Sequence, residues 1–217
     1  MMLARWKPAL ALLAIGLLAA IILAGLDRIT RDRISLEQER RALAALTRLL
    51  PAERFDNELV ADWIKLPVAG LDRPARVYRA RLDNEPSAAI LDLVTARGYS
   101  GDIRLLLAVE PDGIIIGVRV LEHRETPGLG DRIEIRRSDW IRQFDGTSLE
   151  DPEPDNWAAD RRGGKFDTMT NATITTAAIV DAVRLGLEAF EAAGERIWVR
   201  HPESERLEIQ PDLSQNQ

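Results

Sequence analysis

No cysteine occurs among the 217 residues, which excludes disulfides, thiolate zinc sites, cysteine-held iron–sulfur clusters and thiol nucleophiles together. Histidine is nearly as scarce. Only His123 and His201 are present, far apart and in no H-x-x-x-H pairing, so no metal site is expected. An excess of positive charge is also missing: 29 Lys and Arg face 35 Asp and Glu, a formal net charge of -6, which argues against a nucleic-acid partner. The G-x-G-x-x-G dinucleotide fingerprint is absent, so the chain is not expected to take hydride from a nicotinamide by itself. There is no internal repeat and no low-complexity block. What remains is an ordinary composition, 46% hydrophobic, with enough length for one large or two small domains.

One long hydrophobic run is present. "ALALLAIGLLAAIILAGL", residues 9–26, holds eighteen residues without a charge, ~27 Å as a helix at ~1.5 Å per residue, enough to span a bilayer core. Trp6 and Lys7 precede it and Asp27 and Arg28 follow, the residues expected at the headgroups. The run is longer than the apolar region of a cleaved signal peptide, and Leu26 stands where a lipoprotein would need cysteine. The reading is a short segment 1–8, a transmembrane helix 9–26 and a juxtamembrane helix 27–51. In that last segment Ser35 and Gln38 make a capping box, Leu36, Leu43 and Leu50 recur every seven residues, and Pro51 is the stop. Basic residues on both sides of the span, Arg5 and Lys7 against Arg28, Arg31 and Arg33, leave its orientation open.

Beyond Pro51 the pattern turns to strands: "ARVYRARL" (75–82), "AAILDLVTA" (88–96), "DIRLLLAVE" (102–110) and "GIIIGVRVLEH" (113–123). The second and third are almost continuously apolar, as strands covered on both faces are. Pro111-Asp112-Gly113 predicts a hairpin turn and so an antiparallel sheet. "SDWIRQF" (138–144) predicts a short capped helix, and "DPEPDNW" (151–157) an exposed loop. Ile179, Val183, Leu187 and Phe190 trace one stripe of a longer helix that stops at Gly194. "ERIWVRH" (195–201) predicts a closing strand, and residues 202–217 a polar tail. Strands followed by helices make the class α+β.

Two stretches carry candidate chemistry. In "ETPGLG", Glu125 to Gly130, a proline and two glycines force a tight turn. It reads either as an ordinary strand-to-helix turn or as unshielded backbone N–H groups open to a flat ring or an anion. In "FDTMTNATITTAAIV", residues 166–180, five threonines occupy nine positions ahead of the long helix. Thr175 or Thr176 reads as its cap, with room for a phosphate beside Thr173. Asn171-Ala172-Thr173 also fits the N-glycosylation pattern, a poor fit to the rest of the chain. Capping accounts for one or two of the hydroxyls, not five.

The run D-T-M-T-N-A-T-I-T (167–175) is similar to the flavinylation motif D-x-x-[ST]-G-A-T-x-[ST] of FMN-binding domains. With "RRGGKFD" before it, "ETPGLG", "SDWIRQFDG" and "GYSGDIRLLLAVEPDGIIIGVRVLEH" upstream, and the apolar N-terminus, most of the chain resembles the RnfG family, the covalent-flavin components of the Rnf ion-translocating electron-transport complexes. The resemblance implies FMN joined through its phosphate to the Thr173 hydroxyl by a flavin transferase. It also implies one-electron carriage within a membrane complex that couples NADH/ferredoxin electron transfer to ion movement, with no catalytic residue and no stand-alone activity in the chain itself. Asn171 stands at the family's glycine, and asparagine is the residue after glycine that best tolerates a left-handed backbone. By the same resemblance, Glu125, Thr126, Pro127, Gly128, Leu129 and Gly130 face the isoalloxazine, with Leu129 covering it. Asp167 shapes the turn or meets the transferase's metal, or is a local turn cap; Lys165 approaches the phosphate or is a solvated surface lysine; and Thr170, Asn171, Ala172 and Thr176 build the loop. Trp140 or Trp157 stacks on the ring or belongs to the core. The implied setting is one FMN-binding domain (52–201) on the periplasmic face of a bacterial inner membrane, in contact with lipid and the other complex subunits. The flavin subunit of sodium-pumping quinone reductases shares both motifs, and an anchored scaffold without cofactor is the rival of a different class.

Overall fold

The computed structural model describes residues 16–17 and 44–199. The chain divides into two units, Met1–Leu43 and Ala44–Gln217, and the fold is that of the second. The predicted N-terminal segment 1–8, the rest of the predicted span 9–26, the juxtamembrane residues up to 43 and the tail 202–217 lie outside the described residues. Among the described residues no helix is long and apolar enough to cross a membrane.

Five strands form one antiparallel meander in chain order: β1 (Trp63–Leu66), β2 (Ala75–Leu82), β3 (Glu85–Thr95), β4 (Ile103–Val109) and β5 (Ile115–Glu122). Four of them lie where the apolar patterning predicts; β1 escapes it because four residues, WIKL, are too short to show a period. The β2–β3 turn holds Asp83 and Asn84 at φ 52 and 69, left-handed backbone that a tight hairpin demands and these two residue types tolerate. At the predicted Pro111-Asp112-Gly113 turn, the Glu110 N–H donates to the Ile114 carbonyl at 2.8 Å and the Gly113 N–H to the Glu110 carbonyl at 3.0 Å.

The near-continuous apolarity of β3 and β4 is explained by cover on both faces. Ala89, Leu91 and Leu93 turn to one side, joined in register by Leu107 and Leu105 of β4, and pack beneath the long helix Thr173–Ala193 through its Ile179, Val183, Leu187 and Phe190. Gly186 lets that helix approach, since a Cβ there would come within 2.7 Å of Leu93. Ala88, Ile90, Leu106 and Ala108 turn to the other side, where Leu46, Leu49 and Leu50 bury against them. Residues 44–49 are helical, so Leu50 of the predicted stripe packs onto the folded domain. Each such buried leucine contributes roughly 1.5–3 kcal/mol by leaving water.

One local expectation holds and one changes. "SDWIRQF" forms a 3-10 helix, Asp139–Phe144, with Ser138 Oγ accepting from the Trp140 N–H at 3.2 Å as cap. The stretch from Glu195 is not a strand among the described residues: Gly194–Trp198 is a 3-10 helix. The buried guanidinium groups of Arg79 and Arg81, both paired with Asp62, claim its backbone acceptors. Arg79 donates to the carbonyls of Ile197 (3.1 Å) and Val199 (2.6 Å), and Arg81 to that of Trp198 at 2.5 Å. Carbonyls that a ladder would have used serve instead to satisfy buried cations, which need acceptors once out of water.

Candidate functional site

In a meander, β3 and β5 run the same way, so the loop leaving β3 and the turn leaving β5 emerge at one end of the sheet. The long helix begins at that end, and the two stretches singled out in the sequence meet across a cavity of about 540 Å³. Its lining is Glu125, Thr126, Leu129 and Gly130 from the turn, Asn171 to Thr175 from the helix start, and Tyr99 and Arg161. That volume falls within the ~300–1,000 Å³ usual for small-molecule and cofactor sites. Of the other residues implied by resemblance, Pro127 and Gly128 form the exposed tip of the turn and do not line the cavity. Lys165 is exposed and lies 3.4 Å from Asp151. Asp167 stands off the cavity, its N–H donating to Gln143 Oε1 at 2.7 Å and its carbonyl accepting from Trp140 Nε1 at 2.6 Å. Thr170 is exposed.

Three of the five hydroxyls have bonded partners, each a different one. Thr168 donates to the Asp160 carboxylate. That bond, ahead of the backbone donors Arg161 and Thr168 and the charge of Arg161, holds the Asp160 carboxyl below its ordinary value. Thr176, fully buried, accepts from the Met169 N–H at 3.1 Å. Thr175, also buried, donates to Glu125 Oε2 at 2.5 Å. Neither is the cap the patterning suggested, because the helix starts earlier, at Thr173. Its N-cap is Ala172, whose methyl offers no acceptor, and no side chain caps this end. Asn171, just before, has φ 64, the left-handed backbone that the family's glycine would supply. Thr173 itself is half-buried and is one of the residues that line the cavity.

The turn from Glu125 differs from the open-donor reading. Its N–H groups are used internally: those of Leu129 and Gly130 donate to the Thr126 carbonyl at 3.2 and 3.0 Å, and that of Gly128 to Asp131 Oδ1 at 2.8 Å. Gly130 is needed for contact, since a Cβ there would meet Glu125 Cβ at 2.8 Å. Glu125 is only 4% exposed, and its Oε1 accepts from the Ser100 N–H at 3.0 Å. Behind it, the Glu125 N–H donates to His123 Nδ1 at 3.0 Å, which leaves His123 Nε2 as the protonated nitrogen, 2.8 Å from Glu134 Oε1. Arg136, then His123, hold the Glu134 carboxyl below its ordinary value.

Trp157 belongs to the core, packed with Phe144 and Phe166 at ring-centroid distances of 6.5 and 4.7 Å. Trp140 packs edge-on to Phe144. Sequence reasoning missed Tyr99, Arg161, Ile174 and Thr175 as cavity residues. For Tyr99 and Arg161, "GYSG" and "RRGGKFD" carried the signal, but residues so distant along the chain are not joined by any local pattern; Ile174 and Thr175 sit inside the motif itself.

Residues 98–188, which contain every lining residue of the cavity, match the family model of the FMN-binding domain. The chain thus carries a flavin-nucleotide-binding domain. The G component of the ion-translocating oxidoreductase complex of Pseudomonas aeruginosa is 42% identical over 190 residues, covering 86% of each chain. The protein of the same name from Cereibacter sphaeroides is 43% identical over 191 residues, again covering 86% of each. A crystal structure of NqrC from Shewanella oneidensis is similar at 26% identity and a TM-score of 0.47, over 61% of this chain and 69% of that one. The chain belongs to the RnfG family, the G components of ion-translocating oxidoreductase complexes.

Proposed function

We propose that this chain is the electron-carrying flavoprotein subunit of a membrane-bound ion-translocating oxidoreductase complex, bearing FMN as a phosphoester on Thr173. One observation carries the reading: the motif's threonine lines a cofactor-sized cavity at a helix start that no side chain caps. The first-turn N–H groups and the positive end of the helix dipole suit a phosphate diester, which carries one negative charge. Arg161 adds a cation on the same lining and has no salt bridge among the described residues. The FMN, once attached, supplies the one-electron chemistry. The chain's own residues do the holding: Asn171 sets the loop, Thr173 provides the attachment oxygen, and Leu129 and Ile174 offer apolar cover.

On this reading a flavin transferase matures the protein, residues 9–26 anchor it in the bacterial inner membrane against lipid, and the domain works on the periplasmic face beside the other complex subunits. The test is intact mass of the full chain purified from a host with a working transferase, with acid-stable in-gel fluorescence beside it. The expected outcome is one covalent flavin nucleotide in the native chain and none in Thr173→Ala, with the variant still folded. Equal flavin in both would move the attachment elsewhere; none in the native chain would leave an anchored scaffold.

A further inference from the structure

Seven large hydrophobic side chains are exposed among the described residues, and three of them, Tyr99 (68%), Ile174 (53%) and Leu129 (40%), lie on the lining of this one cavity. Tyr99 is the single aromatic in that lining. Its loop is closely constrained. A Cβ on Gly98 would fall 2.3 Å from the Gly101 carbonyl oxygen and 2.9 Å from Glu125 Oε1, so the loop folds back on itself against that carboxylate. Glu125 spends both oxygens on neighbours of the exposed apolar residues. Oε1 accepts from Ser100, next to Tyr99, and Oε2 from Thr175, next to Ile174. A buried carboxylate so engaged does not reach into the cavity as a ligand; it fixes where two of the cavity's walls stand.

We propose that Tyr99 is the aromatic contact of the isoalloxazine and that Glu125 is the positioning residue that holds Tyr99 and Ile174 at the cavity. This rests on the flavin reading above. The chemistry matches: an isoalloxazine is flat, apolar over most of its area and electron-poor, and a phenol ring offers an electron-rich face of the right shape. An exposed tyrosine on a mobile loop would lose entropy on each contact, whereas one on a loop already tied down does not.

The experiment uses the full chain purified in detergent with its flavin, as native protein and as Tyr99→Leu, Tyr99→Phe and Glu125→Gln. Intact mass comes first. A native chain without flavin would defeat the flavin reading itself and leave Tyr99 without a ligand. At equal loading, Tyr99→Leu is expected to raise flavin emission several-fold, because a tyrosine in contact quenches it, and to weaken the visible circular dichroism. Tyr99→Phe is expected to keep the dichroism, which reports the stacked ring, while raising emission. Glu125→Gln, with Tyr99 still present, is expected to shift both signals partway; if it fails to fold, Thr175→Val removes one of the same bonds and leaves the carboxylate in place. Loaded Tyr99→Leu with native emission and dichroism would overturn the contact, as would a change seen only with partner subunits present. Native signals in both Glu125→Gln and Thr175→Val would overturn the positioning role.

Discussion

The two ends of the long helix are finished in opposite ways. At the C-terminal end Gly194 takes φ 53, its N–H donates to the Phe190 carbonyl, and Arg196 donates to the carbonyls of Ala192 at 2.6 Å and Ala193 at 3.1 Å. The orphan acceptors there are met from within the chain, by a cation placed where the dipole favours one. At the N-terminal end the cap position holds alanine, the hydroxyls of Thr168, Thr175 and Thr176 are bonded elsewhere, and Thr173 and Ile174 lie on the lined cavity. One end is thus closed from within the chain, while no side chain caps the other. On the proposed reading the hydroxyl-rich stretch is a support for one threonine rather than a set of redundant caps.

This contrast can be broken at either end. The largest effect on stability belongs to the closed end's packing: Phe190→Ala is expected to cost ~3–5 kcal/mol, read by denaturant unfolding of the detergent-solubilised chain, with the flavin still attached to the folded fraction. Next, Arg196→Ala removes the donor to the last carbonyls and is expected to cost about 1 kcal/mol in the same measurement. At the open end the sign reverses. Ala172→Ser supplies the missing cap and is expected to stabilise the flavin-free chain by about 0.5 kcal/mol while lowering the yield of covalent flavin, measured by intact mass. A stabilised chain with full flavin yield would mean that the helix start and the cofactor do not compete for the same donors.

The smallest effect concerns the support beneath the open end and is visible only against pH. Glu134 is held below its ordinary value by Arg136 and then His123. Its contribution to stability is therefore present above the unfolded carboxylate value, about pH 4.3, and is lost as pH falls through the lower folded value. Glu134→Gln is expected to lower the melting temperature at neutral pH, with the gap to native protein narrowing in that acid window and with added salt, since Arg136 is exposed. A gap independent of pH would assign the loss to packing instead of charge.

Much of this was legible along the chain because it is local. Apolar runs marked four strands, a spacing of three and four marked the helix stripe, Gly194 marked its end, and Pro111-Asp112-Gly113 marked a hairpin. Asn171 could be read as left-handed because it stands at the glycine of the resembled motif and asparagine tolerates that backbone, and its φ of 64 agrees. The failures share a cause. The segment from Glu195 has strand-like composition, yet its carbonyls are taken by Arg79 and Arg81, more than a hundred residues earlier. Thr175 and Thr176 have cap-like composition, yet each is bonded to a partner that local pattern does not reveal. Lys165 was the nearer cation to the motif in sequence, while Arg161 is the one on the cavity.

The sequence by itself determined four of the five strands and the long helix, and its resemblance to a flavinylation motif singled out Thr173, because strand and helix periods, turn residues and a contiguous motif are written in neighbouring positions. Only the tertiary structure decided that Glu125 bonds Ser100, 25 residues away, and Thr175, 50 residues away, and that Tyr99 and Arg161 stand on the same lining as Thr173. Those meetings follow from the parallel sense of β3 and β5 within the meander and from where the long helix crosses them. A carboxylate's choice of partner depends on which donors burial brings within reach, and no local spacing records that.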